Sequence, residues 1–164
     1  VGDPTTAAVR RAGDDLAATL AAFRAAHGFG RAIAAPQIGW SARCVALSLD
    51  GRSFRIHDPV ITRRSRETVT LWDDCMSFPD LLVRVERHTA VDVRYLDERG
   101  EVVDWSIERP DVAELLQHEI DHLDGVLAVD RATDRDALVD RVEFERDPER
   151  FRARVDLRPG PGAP

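Results

Sequence analysis

The stretch Pro110-Asp111-Val112-Ala113-Glu114-Leu115-Leu116-Gln117-His118-Glu119-Ile120-Asp121-His122-Leu123-Asp124-Gly125 decides how the rest of the chain is read. Pro110 suits the first turn of a helix, where its missing N–H is no loss, and Asp111 and Glu114 favour the positive helix end. Val112, Leu115, Leu116, Glu119 and Leu123 then keep a helical period up to Gly125, a stop signal. His118 and His122 are four apart, so they project from one face, close enough to grip a single metal ion. Glu119 beside them completes an H-E-x-x-H arrangement. Two imidazoles hold the metal and the glutamate manages the proton of the water activated there. Two helical histidines and a glutamate also occur as a plain polar face, and several unrelated hydrolases share the pattern, so its meaning depends on its surroundings.

Working outward from this helix, segments 43–49, 53–61, 67–72, 82–87, 90–96 and 101–107 are rich in Val, Ile, Leu, Phe and Thr. Turn signals such as Asp50-Gly51 and Asp97-Glu98-Arg99-Gly100 separate them, which predicts strands joined mainly in antiparallel pairs. Near the start, Val9, Leu16, Leu20 and Phe23 recur at helical spacing between Ala7 and Ala26, and His27-Gly28-Phe29-Gly30 closes that amphipathic helix. Beyond Gly125 come a short apolar stretch at 126–129 and a charged segment at 134–145, expected to be helical. The Pro/Gly-rich tail is expected to be disordered. The fold class is therefore α+β: antiparallel β-sheets packed around a central helix that carries the HExxH motif. Residues 1–157 are read as one catalytic domain and 158–164 as the tail.

Composition narrows the chemistry. A length of 164 residues suits one domain. A net charge of -7 argues against broad binding to nucleic acid or to an acidic membrane. The chain has no lysine and no asparagine, and its only glutamines are Gln37 and Gln117. Schiff-base catalysis and the Walker P-loop both need a lysine and are excluded. Two cysteines, Cys44 and Cys75, allow at most one disulfide, which fits a reducing, cytoplasmic setting better than a secreted scaffold. No apolar run of spanning length and no signal-like segment is evident.

The histidine pair needs a third ligand. Ala128 occupies the place where a metzincin protease would carry its next histidine, and Glu143 and Glu145 lie in an ordinary run of charges. Cys75 is the better candidate. It sits in Trp72-Asp73-Asp74-Cys75-Met76-Ser77-Phe78-Pro79, where a strand gives way to a turn, in more polar surroundings than Cys44, which reads as an inert buried thiol. A thiolate with two imidazoles leaves one position open, as a catalytic metal requires.

Three separated segments now point the same way: Gly30-Arg31-Ala32-Ile33-Ala34-Ala35-Pro36-Gln37-Ile38-Gly39, Asp74-Cys75-Met76-Ser77, and Gln117 through Gly125. In order and interval they resemble the peptide deformylase family, with the likeness running from about Gly28 to about Asp130. The resemblance implies one divalent ion held by Cys75, His118 and His122, with Fe²⁺ as the native metal and Zn²⁺, Ni²⁺ or Co²⁺ also accepted by such a donor set. It implies Glu119 as acid/base, with the Gln37 amide and the Met76 backbone N–H as donors to the oxyanion of formamide hydrolysis. Arg87 is expected in a structural ion pair and Gln117 in an orienting role. A peptide groove is implied along Ala32, Ile33, Asp73, Asp74 and Leu115, where substrate adds as a strand.

The sequence departs from the family pattern at Ala32 and Asp74, where glycines are usual, and at Met76, where leucine is usual. Aspartate would be a tolerable replacement if the backbone at 74 demanded a positive φ. These changes spare the metal and the acid/base and bear on substrate choice. The reading is removal of the N-formyl group from the N-terminal methionine of nascent peptides, with release of formate. A deformylase-like amidase acting on another N-formyl or N-acyl substrate, and a catalytically inactive metal-binding homologue, are the alternatives. The implied partner is the formylated peptide, with ribosome association and oligomeric state left open, and with neither nucleic-acid specificity nor a membrane.

Overall fold

Nearly every side of the helix from Pro110 to Leu123 (α2) is buried, including Val112, Ala113, Leu116, His118, Glu119 and His122. A helix apolar or buried all round must lie inside the protein rather than on its surface, and α2 runs between two antiparallel sheets. The structure, a computed structural model, describes residues 3–157; the tail expected at 158–164 lies outside the described residues.

The first sheet has five strands, in the order β1 (Ala32–Ala34), β2 (Cys44–Leu49), β3 (Arg52–Arg64), β6 (Val91–Leu96) and β7 (Val102–Ile107). The second has three, in the order β4 (Thr68–Cys75), β5 (Phe78–His88) and β8 (Leu138–Asp140). Adjacent strands pair antiparallel throughout, as the short turns between the apolar runs predict. Val45, Leu47, Ile56, Val91 and Val93 of the first sheet pack with Leu116 and Ile120 of α2 in the main core. Leu71, Val83 and Val85 form a second cluster in the smaller sheet.

The N-terminal helix α1 (Ala7–His27) packs Leu16 and Leu20 against Ile33, Cys44 and Ala46, on the side of the first sheet facing away from α2. It ends at Gly28, whose φ of 75° lets its N–H reach back to the Arg24 carbonyl. Two features differ from expectation. Ala32–Ala34 forms a strand against β2 that was not among the expected strands, because three residues are too few to show a period in sequence. The charged segment 134–145 is not one helix. Val139 pairs with Leu82 at the edge of the small sheet, and only then does a helix, α3 (Arg141–Arg146), begin, capped by the Asp140 side chain. An open sheet edge and a strong N-cap override the helical propensity of the run. A last short helix, α4 (Pro148–Arg152), is tied to β4 by the Trp72 indole N–H, which donates to the Phe151 carbonyl at 2.8 Å.

Leu116 is fully buried where α2 meets the five-stranded sheet. Leu116→Ala leaves a cavity there and is expected to lower unfolding free energy by roughly 2–5 kcal/mol, measured by urea denaturation at fixed metal content.

Candidate metal centre

The turn of the hairpin between β4 and β5 delivers the cysteine. The register slips between Asp74 and Cys75, so that Cys75 pairs with Phe78 while Asp74 faces Leu82. Such an irregularity re-aims a side chain at the end of a strand, and here it accompanies a buried Cys75 next to an exposed Asp74. Across from it, the α2 period presents His118 and His122. His122 Nε2 lies 3.2 Å from Cys75 Sγ and 3.1 Å from His118 Nε2. The three donor atoms all fall within 4.8 Å of one another and all three residues are buried.

The second layer of contacts fixes these donors. His118 Nδ1 stands 2.9 Å from the Asp73 carboxylate, which leaves Nε2 facing Cys75 and His122. That is how a carboxylate sets the tautomer and direction of a ligating imidazole. Asp73 is itself held by Arg87, 3.1 Å away, and Arg87 also bonds to Asp121, which Arg131 binds from the other side at 2.8 Å. Arg87 thus sits in the ion pair expected of it. Gln117, also buried, clips α2 to β5. Its Oε1 accepts from the His88 N–H at 3.0 Å and its Nε2 donates to the His88 carbonyl at 2.9 Å.

The electrostatics suit a metal. Burial by itself would push the Cys75 thiol up, but hydrogen bonds with His118 and His122, the His118 charge and the Ser77 N–H outweigh it and bring the pKa down to about 6. A thiol so tuned is a ready ligand. Burial raises Glu119 to about 7 against the pull of His118 and His122. Its Oε2 is buried with no hydrogen-bond partner among the described residues. A buried carboxylate oxygen is ordinarily paired, so this one is placed for a water or a substrate. Gln37 is fixed by its own backbone: Oε1 accepts from the Ala34 N–H at 2.8 Å, while Nε2 reaches Ser77 Oγ at 3.1 Å and lies 3.8 Å from Cys75 Sγ. Cys44, by contrast, is pushed up to about 12 by burial and lies in the cluster under α1.

A cavity of about 220 Å³ opens over these groups, and Gln37, Met76, His118 and Glu119 all line it. Of the groove residues read from sequence, Ala32, Asp73, Asp74 and Leu115 line it as well. Ile33 does not: strand alternation turns its side chain to the opposite face, against Leu16 and Leu20. Asp73 is committed to His118 and Arg87, which makes it a positioning group more than a groove contact. Asp74 pairs with Arg141 and does not have a positive φ, a state that among described non-glycine residues occurs only at Asp50 and Asp58. The sequence reading missed Arg31 and Glu114. Both line the cavity and bond to each other, and burial raises Glu114 to about 7 although Arg31 opposes the rise. Glu114 had been read as a helix-end charge; its place four residues before His118, on the same face, is the signal that puts it in the site.

A Cys/His₂ cluster with an open side and an adjacent buried glutamate, on a helix between antiparallel sheets, defines the class of mononuclear metallohydrolases. The polypeptide deformylase family model matches residues 2–137, and the chain belongs to that family, whose members are metallohydrolases that remove formyl groups from peptides. The peptide deformylase of Thermotoga neapolitana is 40% identical over 105 residues, 64% of this chain and 63% of that protein. The peptide deformylase of Thermotoga maritima is 36% identical over 118 residues, 72% of this chain and 71% of that one. A solved structure of Thermotoga maritima peptide deformylase superposes with a TM-score of 0.72 at 30% sequence identity, covering 82% of this chain and 86% of that one.

Cys75→Ala is expected to abolish stoichiometric metal binding. Asp73→Asn should keep the ligands but weaken metal affinity about 10–100-fold. Both outcomes are read by elemental analysis and by competition with a chelator.

Proposed function

We propose that the chain hydrolyses the formyl group from the N-terminal methionine of nascent peptides, releasing formate and a free amino terminus. The observation that carries this reading is the unpartnered Oε2 of buried Glu119, which lines the same cavity as the Cys75–His118–His122 cluster. A divalent ion held by Cys75, His118 and His122 supplies Lewis-acid activation of water and of the formyl oxygen; by family resemblance the native ion is Fe²⁺. Glu119 takes the proton of the attacking water as the water oxygen bonds to the formyl carbon. It then delivers that proton to the amide nitrogen as the C–N bond breaks. A carboxyl raised toward neutrality suits both duties, because it holds and releases a proton near the working pH. The Gln37 amide N–H and the Met76 backbone N–H stabilise the negative charge that develops on the formyl oxygen. Gln37 is suited to this because its carbonyl end is already anchored to Ala34.

We place this activity in one catalytic domain spanning 1–157 and in the cytoplasm. No helix among the described residues is long and apolar enough to cross a membrane. Association with the ribosome would bring the site to its substrate.

With metal bound, the protein is expected to release formate from formyl-Met-Ala-Ser and to leave the unformylated peptide intact. Glu119→Ala should retain metal and lose about 10²–10⁴-fold in kcat, followed by a coupled formate dehydrogenase assay. An absence of formate from the wild-type holoenzyme would sink the proposal.

A further inference from the structure

The cavity beside the metal cluster is not apolar throughout. Leu71 and Leu115 form part of its wall, but Arg31, Asp111 and Glu114 line it too. Arg31 Nη1 donates to the Asp111 carbonyl at 2.8 Å, and Nη2 donates to Glu114 Oε1. The Glu114 side chain is only 5% exposed, and its Oε2 accepts no hydrogen bond from any described residue. The pair is therefore built into the wall of the site, with acceptor and donor capacity to spare.

Its position relative to the chemistry follows from helix geometry. Glu114 stands one turn before His118 on the same face of α2, at a Cβ separation of about 6 Å. This inference rests on the deformylase reading, in which the formyl carbon lies at the cluster. The side chain of the formylated residue then begins a few bonds away, in the same cavity. Arg31 and Glu114 line that cavity together with His118 and Glu119, so an unbranched side chain as long as that of methionine or glutamine shares its wall with the pair.

We propose that Arg31 and Glu114 act as a polar clamp on the first side chain, so that the enzyme accepts a formylated residue ending in a carboxamide at least as well as formyl-methionine. A carboxamide satisfies both partners at once: its oxygen accepts from the Arg31 guanidinium and its NH₂ donates to Glu114 Oε2. A thioether of the same length displaces water from these groups and returns only a weak acceptor. A pair kept solely to close the fold has no reason to respond to the end of the substrate.

The test is competition between formyl-Gln-Ala-Ser and formyl-Met-Ala-Ser on the metal-loaded enzyme, read as the ratio of kcat/KM values. The expected Gln/Met ratio is one or more. It should fall at least tenfold in the Arg31→Leu/Glu114→Leu double variant, where an apolar pair replaces the ionic one. Glu114→Gln keeps the side-chain shape and should lower the ratio at least threefold, which covers the case in which the double variant does not fold. Ratios taken within each protein cancel any general loss of activity, and metal content reports an intact site. A wild-type ratio below one, or a ratio unmoved by Glu114→Gln, overturns the clamp while leaving the deformylase reading in place. No formate from either peptide overturns the deformylase reading itself, and the clamp with it.

Discussion

The hydrogen bond between Asp73 and His118 joins the two halves of this protein. Asp73 comes from the small sheet and His118 from the central helix, and both are buried. Two charged or polar groups taken out of water must find partners, since an unpaired one is costly. Asp73 meets this need with His118 and Arg87, Arg87 with Asp121, and Asp121 with Arg131. The chain of contacts makes the docking of sheet on helix and the aiming of the imidazole a single event. A shift of one element past the other would leave several buried charges unpaired at once.

The same docking explains why a cysteine at a hairpin tip can serve His118 and His122, which lie far along the chain on α2. The register slip before Cys75 turns the thiol inward, and the polar neighbourhood it enters is the one that lowers its pKa. Cys44 has the same chemistry in isolation but sits among Leu16, Ile33 and Ala46, where burial raises it instead. Two identical side chains thus diverge through environment alone, one toward ligation and one toward inert packing.

Around the reacting groups, the cavity mixes apolar wall with charge. Ala32 and Asp74, which stand where the resemblance implies glycines, line it, but they contribute little that is unusual: Ala32 is buried in β1 and Asp74 is paired with Arg141. More consequential for the cavity is the Arg31–Glu114 pair, which adds charge to its wall. Its groups come from the segment before β1 and from α2; spacing puts Glu114 on the His118 face, but only the fold sets Arg31 opposite it.

Elements with strong local signals are legible in the chain before it folds. The period from Val112 to Leu123 with Pro110 and Gly125 at its ends, the apolar runs between turns, and the spacing of His118, Glu119 and His122 are local properties that chain geometry converts directly into structure. Cys75 and Gln37 were legible because motifs in a fixed order surround them. The remaining features depend on contacts made in the assembled fold. β1 is too short to carry a period, and the 134–145 run became a strand and a helix because an open sheet edge was there to pair with. Ile33 left the groove because alternation turned it to the other face, and Asp73 became the partner of His118. Glu114, expected as a charge favouring the helix end, is buried in the wall of the site with Arg31 opposite it. Each of these depends on which groups meet across the fold, and pairings between distant segments leave no period or local signal in the segments themselves.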